Sequence, residues 1–167
     1  MKLIVHDLPV NEHNLWMEEK VEGAEIVAQT GRTHSCSGCF GCWVRTPGRC
    51  VLKDSVQNFG ERLARCDELI IISQCLYGSY SPFVRNILDR SISYLLPYFV
   101  RRNGETHHGM RYKQTFKFTV HFYSDDLTEA ERSTAQELVK ANAVNFYAHD
   151  VQLTFHDNIE AIKEEWQ

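Results

Sequence analysis

The run from Glu68 to Ser73, ELIIIS, sets four successive apolar residues between polar ends. A strand packed on both faces reads this way, because alternate side chains point to opposite sides and both sides need apolar groups. Directly downstream, Ser81-Pro82 supplies an N-cap and a proline at the first helical position. Val84, Ile87, Leu88 and Leu95 then form an apolar stripe, which predicts a helix ending near Pro97. Upstream, Asp54 followed by Gln57 reads as a helix start, and Val56, Phe59 and Leu63 recur at helical spacing as far as about Cys66.

Farther out, Lys2–His6 and Ala24–Ala28 are short apolar runs, separated by a polar stretch in which Leu15, Trp16 and Met17 suggest a weak helix. On the other side, residues 115–122 (TFKFTVHF) alternate as a strand does, and Thr128 with Glu131 makes a capping box for a helix reaching about Phe146. Ala135, Leu138, Val139 and Phe146 are its expected core face. Val151–Phe155 predicts a last strand and Asn158–Trp166 a short acidic helix. Residues 98–113 are polar and aromatic with an Asn103-Gly104 turn pair, and are expected to form a loop excursion outside the core. Five strands alternating with helices predict a parallel sheet covered on both faces, with ligands bound beyond the carboxyl ends of the strands.

The 167 residues suit one domain spanning 1–167, large enough to bury a core unaided. A net charge of -4, with 18 scattered Lys and Arg, argues against nucleic-acid binding. No apolar run approaches the ~20 residues that cross a bilayer, and the opening MKLIVHDLPV lacks the pattern of a secretory signal, so a cytoplasmic protein without membrane attachment is expected. Six cysteines, four of them between Cys36 and Cys50, read as thiols, metal ligands or redox groups in a reducing compartment rather than as a disulfide framework.

Those four, in CSGCFGCWVRTPGRC, stand two, two and seven residues apart. The spacing suits a four-iron cluster held by Cys36, Cys39, Cys42 and Cys50. Zinc on the same thiolates ranks lower, since structural zinc sites more often use two separated hooks. Small thiols in a tight turn shaped by Gly38, Gly41 and Gly48 are the plain alternative, and a reactive pair favoured by Arg45 and Arg49 is another. After the buried strand, Cys75, Leu76, Tyr77, Gly78 and Ser79 lie where a switch-point ligand sits; small residues admit a flat ring and Tyr77 can stack on it. An ordinary strand-to-helix turn with a packed tyrosine is the competing reading. His107, His108 and Met110 read as part of a solvated loop, and Asp89-Arg90 as a salt bridge or a helix-to-loop contact. No residue is assigned as a catalytic acid or base.

Two segments, CSGCFGCWVRTPGRCVLKDS (36–55) and LYGSYSPFVRNILDR (76–90), resemble the cysteine-rich segment and the flavin loop of the NAD(P)H-dependent FMN reductase and iron-sulfur flavoprotein family. The resemblance spans about Cys36 to Phe122. It implies a flavodoxin-like three-layer sandwich with a five-stranded parallel sheet, a homodimer or larger assembly, and FMN held by loops after the first, third and fourth strands. By position, the ring contacts would be Cys75, Leu76, Tyr77, Gly78 and Ser79, with Tyr123 and Ser124 nearby, and the four cysteines match the ligand pattern of the cluster-bearing members. The chain departs from the family after its first strand, where DLPVNEHNLWMEE (7–19) is acidic and free of hydroxyls; His6, Asn11 and His13 are the candidate phosphate contacts and Glu12 opposes them. Cys75 also stands where many relatives have proline, and Arg85 where they have lysine.

The resulting expectation is an FMN-dependent oxidoreductase or electron carrier, drawing on NAD(P)H and serving a small-molecule or protein acceptor, with a 4Fe-4S cluster if the cysteines hold one. Two alternatives stay open: a flavodoxin-fold binding or regulatory protein that has lost FMN, and a metal or iron-sulfur protein without flavin.

Overall fold

A computed structural model describes residues 1–9, 21, 23–29 and 33–166. The expected helix around Leu15, Trp16 and Met17 lies outside the described residues, as do Asn11, Glu12 and His13. Five strands form the main sheet: β1 (Lys2–His6), β2 (Glu25–Val27), β3 (Glu68–Leu76), β7 (Lys117–Tyr123) and β8 (Asp150–His156). Their order is β2-β1-β3-β7-β8 and every neighbouring pair is parallel.

β3 is central, and Leu69 to Ile72 are all buried. Leu69 and Ile71 join one core with Leu3, Val5, Phe118 and Val120, while Ile70 and Ile72 join a second with Ile4 and Leu8. The unbroken apolar run thus serves two faces at once. Helices α2 (Phe59–Leu63), α3 (Pro82–Arg90) and α4 (Glu129–Phe146) contribute to the first core, and α5 (Ile159–Glu165) covers the second through Ile162. This is the three-layer α/β arrangement expected. Ser81 caps α3 by accepting the Val84 N–H, and Thr128 with Glu131 forms the predicted capping box on α4.

Three elements differ from expectation. The helix expected from Asp54 begins only at Phe59, because Asp54 is committed to Arg90 and Gln57 pairs with Cys50 through both its backbone and its side chain. The helix expected to run near Pro97 stops at Arg90, where Ser91 donates to the Leu88 carbonyl and a 3-10 turn (Ser91–Tyr94) follows. Residues 98–113 are not a loop. They belong mostly to an antiparallel hairpin, β5 (Leu95–Arg102) and β6 (Glu105–Met110), which lies outside the main sheet and turns on Asn103-Gly104. A further short helix, α1 (Gly41–Val44), forms within the cysteine segment.

Candidate functional site

The chain passes from β1 out to β2 on one side and then to β3 on the other, so the order of strands reverses between β1 and β3. At that point the strand ends diverge and leave a crevice. A cleft of about 470 Å³ lies there, with Asp7, Gln74 and Tyr123 from the ends of β1, β3 and β7, and Ser81, Phe83 and Asn86 from the start of α3. Asp7 organises it. Its carboxylate accepts the Gln74 N–H (2.9 Å), the Tyr123 hydroxyl (3.0 Å) and the Ser73 hydroxyl (3.4 Å). Burial, and then the neighbouring Asp7 charge, push the Tyr123 phenol well above its ordinary range, which keeps it a donor. Ser73 in turn accepts the Ser81 N–H, tying β3 to the cap of α3.

The segment expected to meet a flat ring forms a hairpin on the edge of this cleft. β3 continues to Leu76, turns at Tyr77-Gly78 and returns as β4 (Ser79–Tyr80), with Cys75 opposite Tyr80 and Leu76 opposite Ser79. Cys75 and Tyr80 are buried in the first core, whereas Tyr77 is 90% exposed. Burial pushes the Cys75 thiol up, which keeps it a neutral core group. A Cβ added to Gly78 would lie 2.7 Å from Thr134 Cβ and 2.8 Å from the Glu131 carbonyl, so the hairpin tip is pressed onto α4. Of the seven residues expected around the ring, Tyr123 lines the cleft itself. Gln74 and Ser81, the two ends of the hairpin, also line it, and Tyr77 stands exposed at the tip. Ser124 follows β7, its N–H donating to the His156 carbonyl and its hydroxyl to Asp126.

The four clustered cysteines lie toward the other end of α3. All four line one cavity of about 300 Å³, together with Leu52, Asp89, Arg90 and Ile92. Cys36 and Cys39 are exposed, while Cys42 and Cys50 are buried. The Gly41 N–H, then the Ser37 side chain, pull the Cys39 thiol below its ordinary value. Burial pushes the Cys42 thiol up, and the neighbouring Cys50, Cys36 and Cys39 add to the effect, so the four sulfurs sense one another.

Arg90, 2% exposed, is the anchor of this region. Its guanidinium forms a two-pronged pair with Asp54, the Nη2–Oδ1 arm at 2.7 Å, and also donates to the carbonyls of His34 (3.1 Å) and Leu52 (3.4 Å). Burial alone would raise the Asp54 carboxyl, but hydrogen bonds from Arg90 and from the His34 N–H outweigh it and hold the pKa below its ordinary value. Asn86 completes the strap by accepting the Cys36 N–H and donating to the His34 carbonyl. The expected helix-to-loop role of Asp89-Arg90 therefore falls to Arg90. Trp43 joins α1 to the outer hairpin, donating from Nε1 to the Ile92 and Leu95 carbonyls at 3.1 and 3.0 Å while its ring packs on His108.

Sequence reasoning did not find Asp7 as the organiser of the cleft, nor the polar cluster formed by His121, His156 and Glu165 on the opposite face of the sheet from α3. The acidic character of residues 7–19 was the available signal for the first. No helix among the described residues is long and apolar enough to cross a membrane.

No family model and no curated protein matches the sequence. Solved structures do. An NAD(P)H:quinone oxidoreductase from Methanothermobacter marburgensis superposes with a TM-score of 0.60 at 14% identity, covering 99% of this chain and 92% of that one. An FMN-dependent NADH-azoreductase from Bacillus anthracis, solved in complex with FMN, gives 0.55 at 11% identity, covering 99% and 93%. A WrbA-like flavodoxin from Agrobacterium tumefaciens gives 0.51 at 10% identity, covering 99% and 89%. Identities this low speak to architecture alone, and together with the strand order they establish a flavodoxin-like α/β fold.

Proposed function

We propose that the chain is an FMN-dependent oxidoreductase or electron carrier that draws electrons from NAD(P)H and delivers them to a small-molecule or protein acceptor. The observation that carries this reading is the polar cleft of about 470 Å³ at the switch point of a flavodoxin-like sheet. Its described residues suit a flavin ring. Pro82 and Phe83 supply apolar contact, and Gln74, Asn86 and Tyr123 supply a polar edge. The hairpin of Cys75, Leu76, Tyr77, Gly78 and Ser79 borders the ring, with the exposed Tyr77 available to stack and Ser124 beyond the end of β7. They suit a phosphate less well, because Asp7 already takes the Gln74 N–H and Tyr123 hydroxyl that a phosphate oxygen would use. Bound FMN supplies the hydride and electron chemistry; the protein positions the ring and sets the field around it.

The same reading gives Cys36, Cys39, Cys42 and Cys50 to a four-iron cluster. One zinc ion on four thiolates needs sulfurs about 3.8 Å apart, as Zn–S bonds of about 2.3 Å dictate. Among the described residues, no three of these thiols converge within 4.8 Å, yet all four face a single cavity. That arrangement favours a larger centre. Arg90, already paired with Asp54, lines the same cavity and also interacts with Cys50, which sets a buried guanidinium beside the sulfurs. Free thiols fit a reducing cytoplasmic setting. The exposed Tyr98 and Phe99 of the outer hairpin, with Phe40 and Val44 beside the cysteines, favour a homodimer or larger assembly.

An anaerobic absorption spectrum of freshly purified protein, repeated after adding FMN, tests the reading. Flavin bands with quenched flavin fluorescence are expected, and a broad violet shoulder if the cluster is present. A colourless protein that leaves added FMN fluorescent would overturn the oxidoreductase and favour a binding or regulatory role. A violet shoulder without flavin binding would point to an iron-sulfur protein of another kind.

A further inference from the structure

On the face of the sheet covered by α5, three side chains from three elements converge. His121 lies on β7, His156 ends β8 and Glu165 ends α5, and one ligand atom from each falls within 4.8 Å of the others. His121 Nδ1 is 3.1 Å from His156 Nε2, which is 3.4 Å from Glu165 Oε2. Both imidazoles are buried, at 5% and 8% exposure. We propose that these residues form a binding site for a borderline divalent transition-metal ion of the zinc type.

Proton bookkeeping is the first support. A neutral imidazole carries one N–H. His156 Nε2 contacts both His121 Nδ1 and Glu165 Oε2, so its single hydrogen cannot serve both contacts fully. If His121 Nδ1 donates instead, the Glu165 carboxylate faces a lone pair. With both hydrogens on the outer ring nitrogens, His121 Nδ1, His156 Nε2 and the Glu165 carboxylate face one another as acceptors within 4.8 Å, an arrangement that a bound cation stabilises.

The distances are the second support. Bonds of about 2.0–2.2 Å in a tetrahedron set neighbouring N and O ligands roughly 3.3–3.6 Å apart. The observed 3.1 and 3.4 Å edges are close to that spacing. Two imidazoles and a carboxylate make a donor set that zinc accepts, and one position remains for water. His121 and Glu165 open on a cavity of about 370 Å³ that also contains Thr119, Thr154 and Glu68, where that water has polar neighbours. Glu68 itself is held by Lys2, Lys117 and Thr119, which leaves the three-residue set to do the ligation. A bound ion would pin the terminal helix to the two last strands of the sheet.

The exposed thiols would also take up zinc, so the test uses the full-length Cys36→Ser/Cys39→Ser protein as parent, stripped with chelator and titrated with zinc alone. The parent is expected to bind one equivalent with a first shell of N/O at about 2.0–2.1 Å by X-ray absorption, without sulfur at about 2.3 Å. His156→Ala should lose at least about 100-fold in affinity, the upper end of what losing a merely supporting residue does. Glu165→Gln, altered at a half-exposed helix end, retains the fold and should bind more weakly and lose the zinc-induced rise in Tm seen in the parent. No zinc uptake by the parent at micromolar concentration, a sulfur shell, or unchanged affinity in Glu165→Gln would each overturn the site.

Discussion

The chain makes two tight hairpins of the same design. Each reverses on two residues with left-handed backbone: Tyr77 (φ 53) and Gly78 (φ 74) between β3 and β4, Asn103 (φ 50) and Gly104 (φ 85) between β5 and β6. Asn-Gly is the pair such turns favour, because glycine has no Cβ and asparagine tolerates this region. Tyrosine in the first position is strained by roughly 1 kcal/mol. Packing does not offset that strain, since the Tyr77 ring is exposed. The outer hairpin thus has the turn that folds most readily. The inner one, whose two ends line the switch-point cleft, carries an exposed aromatic ring where the turn does not ask for one, and this is the ring that the proposed function would stack on a flavin.

The two hairpins also differ in what they rest on, and alanine at each turn glycine would separate them most clearly. At Gly78 the added methyl meets Thr134 and the Glu131 carbonyl, whereas at Gly104 it meets open space. Gly78→Ala should therefore cost about 2–4 kcal/mol, backbone strain plus overpacking, and Gly104→Ala about 1 kcal/mol from strain alone. Urea denaturation of the pair measures the gap; equal losses would mean that the inner hairpin is not braced on α4. The outer hairpin is rooted by Trp43, whose Nε1 donates to the Ile92 and Leu95 carbonyls, and by the far end of α4, where Arg102 donates to the Val144 carbonyl and the Tyr147 hydroxyl to the His108 carbonyl. Trp43→Phe keeps an aromatic ring and loses both bonds, for an expected cost of about 1–2 kcal/mol. Amide exchange should rise over residues 95–110 and stay unchanged over 75–80.

These contrasts follow how the chain could be read. β3, β7 and the capping box of α4 were legible because run, alternation and cap are local signals. The Asn103-Gly104 turn was legible too, but its strands were not: a register shift between Leu95 and Phe99 breaks the alternation, and the segment reads as loop. Asp54 read as a helix start because Gln57 lies three residues on, while its real partner Arg90 is 36 residues away. The candidate site divides in the same way. Four cysteines within fifteen residues announce themselves, and the structure lines one cavity with them. The Asp7 network joins residues up to 116 apart in sequence, and no window of sequence displays it.

Flavin binding brings the comparison of the hairpins to a sharper point. If the Tyr77 ring stacks on FMN, Tyr77→Ala should weaken FMN binding up to about tenfold, the range of one aromatic contact, with folding stability changed by less than about 0.5 kcal/mol. Fluorescence titration against the parent protein measures this, and equal affinities would free the ring of the role its strained position suggests.

The smallest expected effect is the most discriminating. Tyr77→Asn gives the inner turn the same Asn-Gly pair as the outer one, so it should raise stability by about 0.5–1 kcal/mol as left-handed strain is relieved. It should also lower FMN affinity as the alanine variant does. Asn103→Tyr, the reverse exchange in the outer hairpin, should lose a similar amount of stability and leave FMN binding alone. A gain in stability coupled to a loss of binding at position 77, absent at 103, is the pattern of a residue held against its backbone preference by a ligand. If Tyr77→Asn gains stability and keeps full affinity, the exposed tyrosine has no part in the cleft, and the flavin ring must be held by the strand ends and Phe83 instead.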